Sequence, residues 1–140
     1  MAYDPNNLFA KIVRGELPAI RVYEDERTLA ILDIMPQTDG HTLVLPKLAG
    51  ENLFDTPIEH ALAAVTTAQK VGRAVKEAMQ APGLVLTQFN AAIAGQTVFH
   101  LHFHLIPVYV AGSWRMHARE QADPARLEEH ARRIRAALKS

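Results

Sequence analysis

The sequence predicts an α+β domain built on an antiparallel sheet. Two observations carry that reading. Short strand-like segments cluster ahead of one long amphipathic helical stretch and resume after it. No helical pattern separates the early segments, so they read as hairpin-like neighbours rather than as parallel strands joined by crossover helices. A chain of 140 residues, 49% hydrophobic and 21% charged, has the size and composition of one folded unit.

The elements follow in order. Leu8, Phe9, Ile12 and Val13 recur at helical spacing behind Asn6-Asn7, and Gly15 closes a short helix. Arg21–Glu24, Leu29–Asp33 and His41–Leu45 read as strands, separated by acidic residues, Pro36 and Asp39-Gly40. Thr56-Pro57-Ile58-Glu59 signals a helix start, with Thr56 as cap, Pro57 in the first turn and Glu59 completing a capping box. Ile58, Leu62, Val65, Val71, Val75 and Met79 hold one broad apolar face until Ala81-Pro82-Gly83 ends the helix. A strand follows at Leu84–Phe89, a small-residue loop at Asn90–Gly95, and a further strand at about Val98–Tyr109. Asp123-Pro124 opens a terminal helix carrying Leu127, Ile134 and Leu138. The long helix covers one sheet face. The other face must be covered by something else or be used.

Composition removes several function classes. Fifteen Lys and Arg balance fifteen Asp and Glu, which argues against a protein living on a nucleic-acid backbone. There are no cysteines, so disulfides, thiolate catalysis and cysteine-rich zinc sites are excluded together. No apolar run approaches the roughly 20 residues that span a bilayer, and no basic segment leads into an apolar one at the start. The expectation is a cytoplasmic protein with no membrane partner.

The chemistry concentrates in His100-Leu101-His102-Phe103-His104-Leu105-Ile106. On a strand the three histidines share one side, while Leu101, Phe103 and Leu105 share the other and face the long helix. Imidazole, with an ordinary pKa of about 6.5, is mostly neutral yet readily protonated at pH 7. Crowded imidazoles compete for protons, so one can stay a neutral nucleophile beside a cationic or donating neighbour. That set suits attack on phosphorus without a metal. The rival reading is a metal site, because His-x-His on a strand is a common zinc or copper donor pair. Just upstream, Gly95-Gln96-Thr97 offers backbone N–H groups, an amide and a hydroxyl to a phosphate. His41 opens an earlier strand and can reach the same cleft.

These residues resemble the histidine triad (HIT) family. His100–Ile106 is similar to the family signature, and the likeness extends to Leu8–Pro18, Leu29–Pro36, Gly40–Lys47 and Ala94–Phe99. It covers about residues 6–109, with 111–140 as a C-terminal helical extension of one domain. The resemblance implies five antiparallel strands, a homodimer with a continuous sheet, no cofactor, and binding of a purine nucleotide or nucleotide conjugate. It implies cleavage at the α-phosphate: a nucleoside phosphoramidate or related nucleotide, through a nucleotidyl-histidine intermediate. Dinucleoside polyphosphate hydrolysis, or a nucleotide-binding regulatory role with incidental turnover, is the alternative. By position, His102 is the implied nucleophile, His104 and His41 contact the phosphate, and His100 orders the cluster. Asp33 is implied at the ribose, Ile34, Phe9, Ile12, Leu17 and Ile31 at the base, and Asn90, Gly95, Gln96 and Thr97 at the phosphate and departing group.

Departures from the family pattern matter too. Many bacterial relatives bind zinc through a Cys-x-x-Cys near the start, where this chain has Asn7-Leu8-Phe9-Ala10, so that site is expected to be absent. Asn90-Ala91-Ala92 stands where many relatives have an Asn-Gly pattern, and Val108 replaces a common arginine. Trp114 lies near where some relatives send a tryptophan toward the partner's site.

Overall fold

A computed structural model describes residues 3–112 and 120–139 of the chain; Trp114 lies outside them. Helix α1 spans Leu8–Val13, strands β1 Arg21–Glu24, β2 Thr28–Leu32 and β3 Thr42–Pro46, and helix α2 Ile58–Ala78. Strand β4 covers Gly83–Thr87, a short 3₁₀ turn Ala92–Ala94, strand β5 Phe103–Val108, and helix α3 Pro124–Leu138. The five strands form one sheet in the order β1-β2-β3-β5-β4, every neighbouring pair antiparallel. The α+β class and the strand count stand as expected.

Strands β2 and β3 are buried along their whole length because both sheet faces are covered. Ala30, Leu32 and Val44 point to one side, where Val71 and Val75 of α2 and Leu127 and Ile134 of α3 complete the core. Leu29, Ile31, Leu43 and Leu45 point to the other, against Phe9 and Ile12 of α1. The alternation of a pleated strand thus feeds two separate apolar layers. Helix α1 has only six residues and covers part of its face, so a cleft remains beside it.

Three expectations need correction. The apolar face of α2 holds only in its second half: Val71, Val75 and Met79 are buried as expected, whereas Ile58, Leu62 and Val65 are exposed and Ala61, Ala64 and Ala68 are buried in their place. Small side chains win here because they let the helix lie close to β5; a Cβ on Gly72 would sit 3.7 Å from Leu105. Thr56 does not cap α2. Its hydroxyl accepts from Gly50 N–H and donates to the Asn52 carbonyl, and Pro57 occupies the N-cap position.

The last correction concerns the histidine strand, which begins at Phe103 rather than near Val98. The β3–β5 register pairs Val44 with Phe103 and, continued, would set Leu101 opposite Pro46. Proline has no N–H to give a ladder. Leu101 N–H goes instead to the Gly50 carbonyl, and His100 and His102 precede the strand in an irregular segment. Leu101 and Phe103 nevertheless pack against Ala61 and Ala64 of α2, and Leu105 joins the α2 core, as the alternation predicts.

Candidate functional site

The cleft beside α1 has a volume of about 290 Å³. Phe9, Ile12, Ile31 and Ile34 supply apolar walls, Asp33 the acidic rim, and Thr97, His102 and His104 the polar end. Eight residues expected at the site therefore meet in one place. Leu17 packs behind the wall with the Phe9 and Ile12 layer. His41 and His100 stand behind the lining histidines, 2% and 1% exposed.

Hydrogen bonds assign the protons of these rings, because a carbonyl can only accept and a backbone N–H can only donate. His102 Nδ1 lies 2.8 Å from the His100 carbonyl, so Nδ1 carries the proton and Nε2 keeps the lone pair. His100 Nε2 lies 2.7 Å from the Pro46 carbonyl and must donate to it. Its Nδ1 then accepts from the Tyr3 hydroxyl, 2.7 Å away. Gln37 N–H donates to His41 Nδ1 at 3.0 Å, which puts the His41 proton on Nε2. That proton points at His104 Nδ1, 3.0 Å away, and so His104 in its neutral form is protonated at Nε2. The result is a lone pair on His102 beside a donor on His104, their ring centroids 4.9 Å apart. Phe9 meets the His102 ring edge-on at 4.8 Å and limits its rotation.

Burial sets the charge state. It pushes His102 and His41 down to about 4, His41 further held down by the neighbouring His102, and it also lowers His100. Burial raises Asp33 to about 6, opposed in part by the Met35 N–H that it accepts. At neutral pH Asp33 is a carboxylate and His41 a neutral ring, so their 3.7 Å contact is not an ion pair. Asp33, His41 and His104 hold donor atoms within 4.8 Å of one another, close enough to suggest a metal. The fit is poor, however. Ligation through His41 Nε2 would drive its proton to Nδ1, against the Gln37 N–H that now points there.

The shifts have a signed consequence for stability. Between pH 6.5 and 4 the unfolded chain takes up protons on His41 and His102 that the folded chain refuses. Acidification therefore costs stability, on the order of 3 kcal/mol per ring at most. Asp33 works the other way, because its folded pKa lies above its unfolded value and it gains relative stability as pH falls through about 6. Asp33→Asn is thus expected to steepen the acid loss, read by urea unfolding at pH 7, 6 and 5. A slope identical to that of the wild type would contradict the raised carboxyl.

Asn90, Gly95 and Gln96 do not line the cleft. Asn90 Oδ1 accepts from Leu53 N–H and pairs with the Gln88 amide. Gly95, at φ +111°, caps the 3₁₀ turn in a conformation that suits glycine. Gln96 is 4% exposed; it accepts from Ala91 N–H and donates to the Glu51 and Val98 carbonyls. Together they hold the loop that presents Thr97. Ala91 itself sits at φ +80° and ψ 152°, a region open in practice only to glycine, so the departure from the Asn-Gly pattern carries strain.

Sequence reasoning did not name Met35, Leu43 or Val98 in the lining, nor Phe89, whose ring meets His104 at 5.4 Å. It also missed Gln37, for a plain reason: the contribution is a backbone N–H, which every residue but proline carries.

Comparison with known proteins places this geometry among relatives. A family model described as the HIT domain matches residues 14–110. The chain is 42% identical over 118 residues to the protein hit of Bacillus subtilis, covering 81% of each. It is 38% identical over 100 residues to the adenosine 5'-monophosphoramidase HNT1 of Saccharomyces cerevisiae, covering 71% of this chain and 61% of that one. The crystal structure of a Hit-like protein from Bartonella henselae superposes with a TM-score of 0.90 at 47% identity, covering 98% of this chain and 99% of that one.

Proposed function

The chain belongs to the HIT family of nucleotide-binding hydrolases, and from that premise we propose that it cleaves a purine nucleoside phosphoramidate at the α-phosphate without a metal. The observation that carries this reading is the His102 tautomer: its Nδ1 proton is tied to the His100 carbonyl, and its lone pair stands on a ring that lines the cleft. In the proposed reaction Nε2 attacks the α-phosphorus and a P–N bond to His102 forms. The bond to the departing amine breaks, and that amine leaves with a proton taken from solvent water, to which the water consumed in the second step returns one. Water then attacks the nucleotidyl-histidine, the bond to His102 breaks, and a nucleoside monophosphate is released. His104 donates through Nε2 to the phosphoryl oxygens as charge builds on them. Asp33 accepts from the ribose hydroxyls, and the aliphatic walls take a flat base with little discrimination.

The name of the yeast relative supports a phosphoramidate over a dinucleoside polyphosphate. A panel of adenosine phosphoramidates and dinucleoside polyphosphates, with mass spectrometry of protein quenched in alkaline denaturant, tests this. The expected result is fastest cleavage of the phosphoramidate, insensitivity to chelator, and an adduct of one nucleotidyl group on the His100–Leu105 peptide. Faster turnover of the polyphosphates would exchange the substrate class, and zinc-rescued loss on chelation would restore the metal reading.

We also propose a homodimer. Ile58, Leu62 and Val65 form an exposed apolar stripe along α2, and Phe54 (83% exposed) adds to it. Strand β4, with Leu86 half-exposed, is an edge of the sheet. A second copy meeting both would bury the stripe and continue the sheet. Leu62→Glu is expected to convert the wild-type dimer to monomer in sedimentation velocity at micromolar concentration. A monomeric wild type, or a variant still dimeric, would reject this interface. Among the described residues, no helix is long and apolar enough to cross a membrane.

A further inference from the structure

Tyr3 stands outside the motifs that define the site, yet it reaches the triad. Its hydroxyl lies 2.7 Å from His100 Nδ1 across 97 positions of sequence. The hydroxyl donates, because the Pro46 carbonyl has already claimed the ring's only proton at Nε2. Tyr3 and Pro46 therefore satisfy both nitrogens of a ring that is 1% exposed. A flip about its Cβ–Cγ axis would exchange nitrogens for carbons and break both bonds at once.

The orientation of His100 matters because of what its carbonyl does. That carbonyl is the acceptor that places the His102 proton on Nδ1. His100 lies ahead of β5, so no strand ladder aligns its backbone. What aligns it is the Leu101 N–H bond to Gly50 and the two anchors on the His100 ring. The tether runs from the N-terminal segment, which is itself fastened by Asn7 to the Asp4 carbonyl and by Arg14 to the Pro5 carbonyl.

We propose that Tyr3 is a positioning residue: by donating to His100 it holds the carbonyl that keeps the His102 lone pair on Nε2, turned to the cleft. Its kinetic arm rests on the nucleotidyl-transfer reading above, whereas its spectroscopic arm does not. Tyr3→Phe in the full chain keeps the ring, whose centroid is 5.8 Å from that of His100, and removes only the hydroxyl. The expected result is a fall in kcat of about tenfold with KM changed less than about twofold, because misplacement of the attacking atom acts on chemistry and not on binding. Ring ¹⁵N spectra of the same protein, without nucleotide, are expected to show His102 passing from one tautomer to a mixture, and His100 Nδ1 losing its hydrogen-bonded shift. A His102 pattern identical to the wild type overturns the proposal whether or not the protein turns over any nucleotide. So does a loss that falls on KM with kcat intact. If the wild type shows the expected tautomers and the variant loses them while neither cleaves substrate, Tyr3 positions the ring as described and it is the proposed reaction that fails.

Discussion

His102→Ala is expected to bind a purine monophosphate within a few-fold of the wild type and to turn over substrate slower by about 10⁴-fold or more. The asymmetry follows from the cleft. In the proposed reading the base and ribose contacts come from the cleft-lining Phe9, Ile12, Ile31, Ile34 and Asp33, and not from the His102 lone pair. The lone pair has no substitute. His104 Nδ1 already accepts from His41, and the Nε2 of His104 carries a proton in the neutral ring. Single-turnover kinetics on an adenosine phosphoramidate, with calorimetric titration of the monophosphate, measure the two quantities separately. Turnover within tenfold of the wild type would remove His102 as nucleophile. Binding lost together with turnover would mean that the ring shapes the pocket more than it reacts.

Gln96→Leu is expected to cost about 2–4 kcal/mol of folding stability, since it strands the buried Glu51 carbonyl and frees the part-buried Ala91 N–H and Val98 carbonyl from their partner. Gln96→Glu, which keeps the shape, is expected to lose the two donated bonds as well, and comparing the two variants separates hydrogen bonding from packing. Ala91 magnifies the effect: its positive φ is tolerated while Gln96 holds its N–H, and release lets the loop relax away. Urea unfolding should show the midpoint shift, and kcat should fall as Thr97 loses its fixed place at the cleft. A stability within about 0.5 kcal/mol of the wild type would mean that water replaces the amide at all three groups. Gln96 would then be freer to meet a phosphate than its contacts indicate.

Local pattern carried much of the fold. The strands β1 to β3 and the helices α1 and α3 fall within a few residues of where periodicity and turn residues put them. Leu101, Phe103 and Leu105 face α2 as simple alternation requires. The failures each turn on a partner that lies far away in sequence. Weighting large apolar residues placed Ile58, Leu62 and Val65 in the core, whereas the distance between helix and sheet favours Ala61, Ala64 and Ala68 there. Pro46 shortened β5 through a missing N–H on a strand that pairs with it from far away in sequence.

What the sequence determined by itself was residue chemistry at fixed spacing: three imidazoles every second position, an acid near an apolar wall, a glycine-led loop before them. These are properties of neighbours along the chain, and they suffice to propose phosphorus chemistry with a metal site as the rival. Only the tertiary structure decided which nitrogen of each ring bears a proton. That choice rests on Pro46, 54 positions from His100, on Tyr3, 97 positions away, and on the backbone N–H of Gln37 beside His41. A backbone carbonyl or amide has no signature of its own in a sequence. Its effect appears only when folding sets it within about 3 Å of a ring, where the fixed direction of a hydrogen bond turns an ambiguous imidazole into either a nucleophile or a donor.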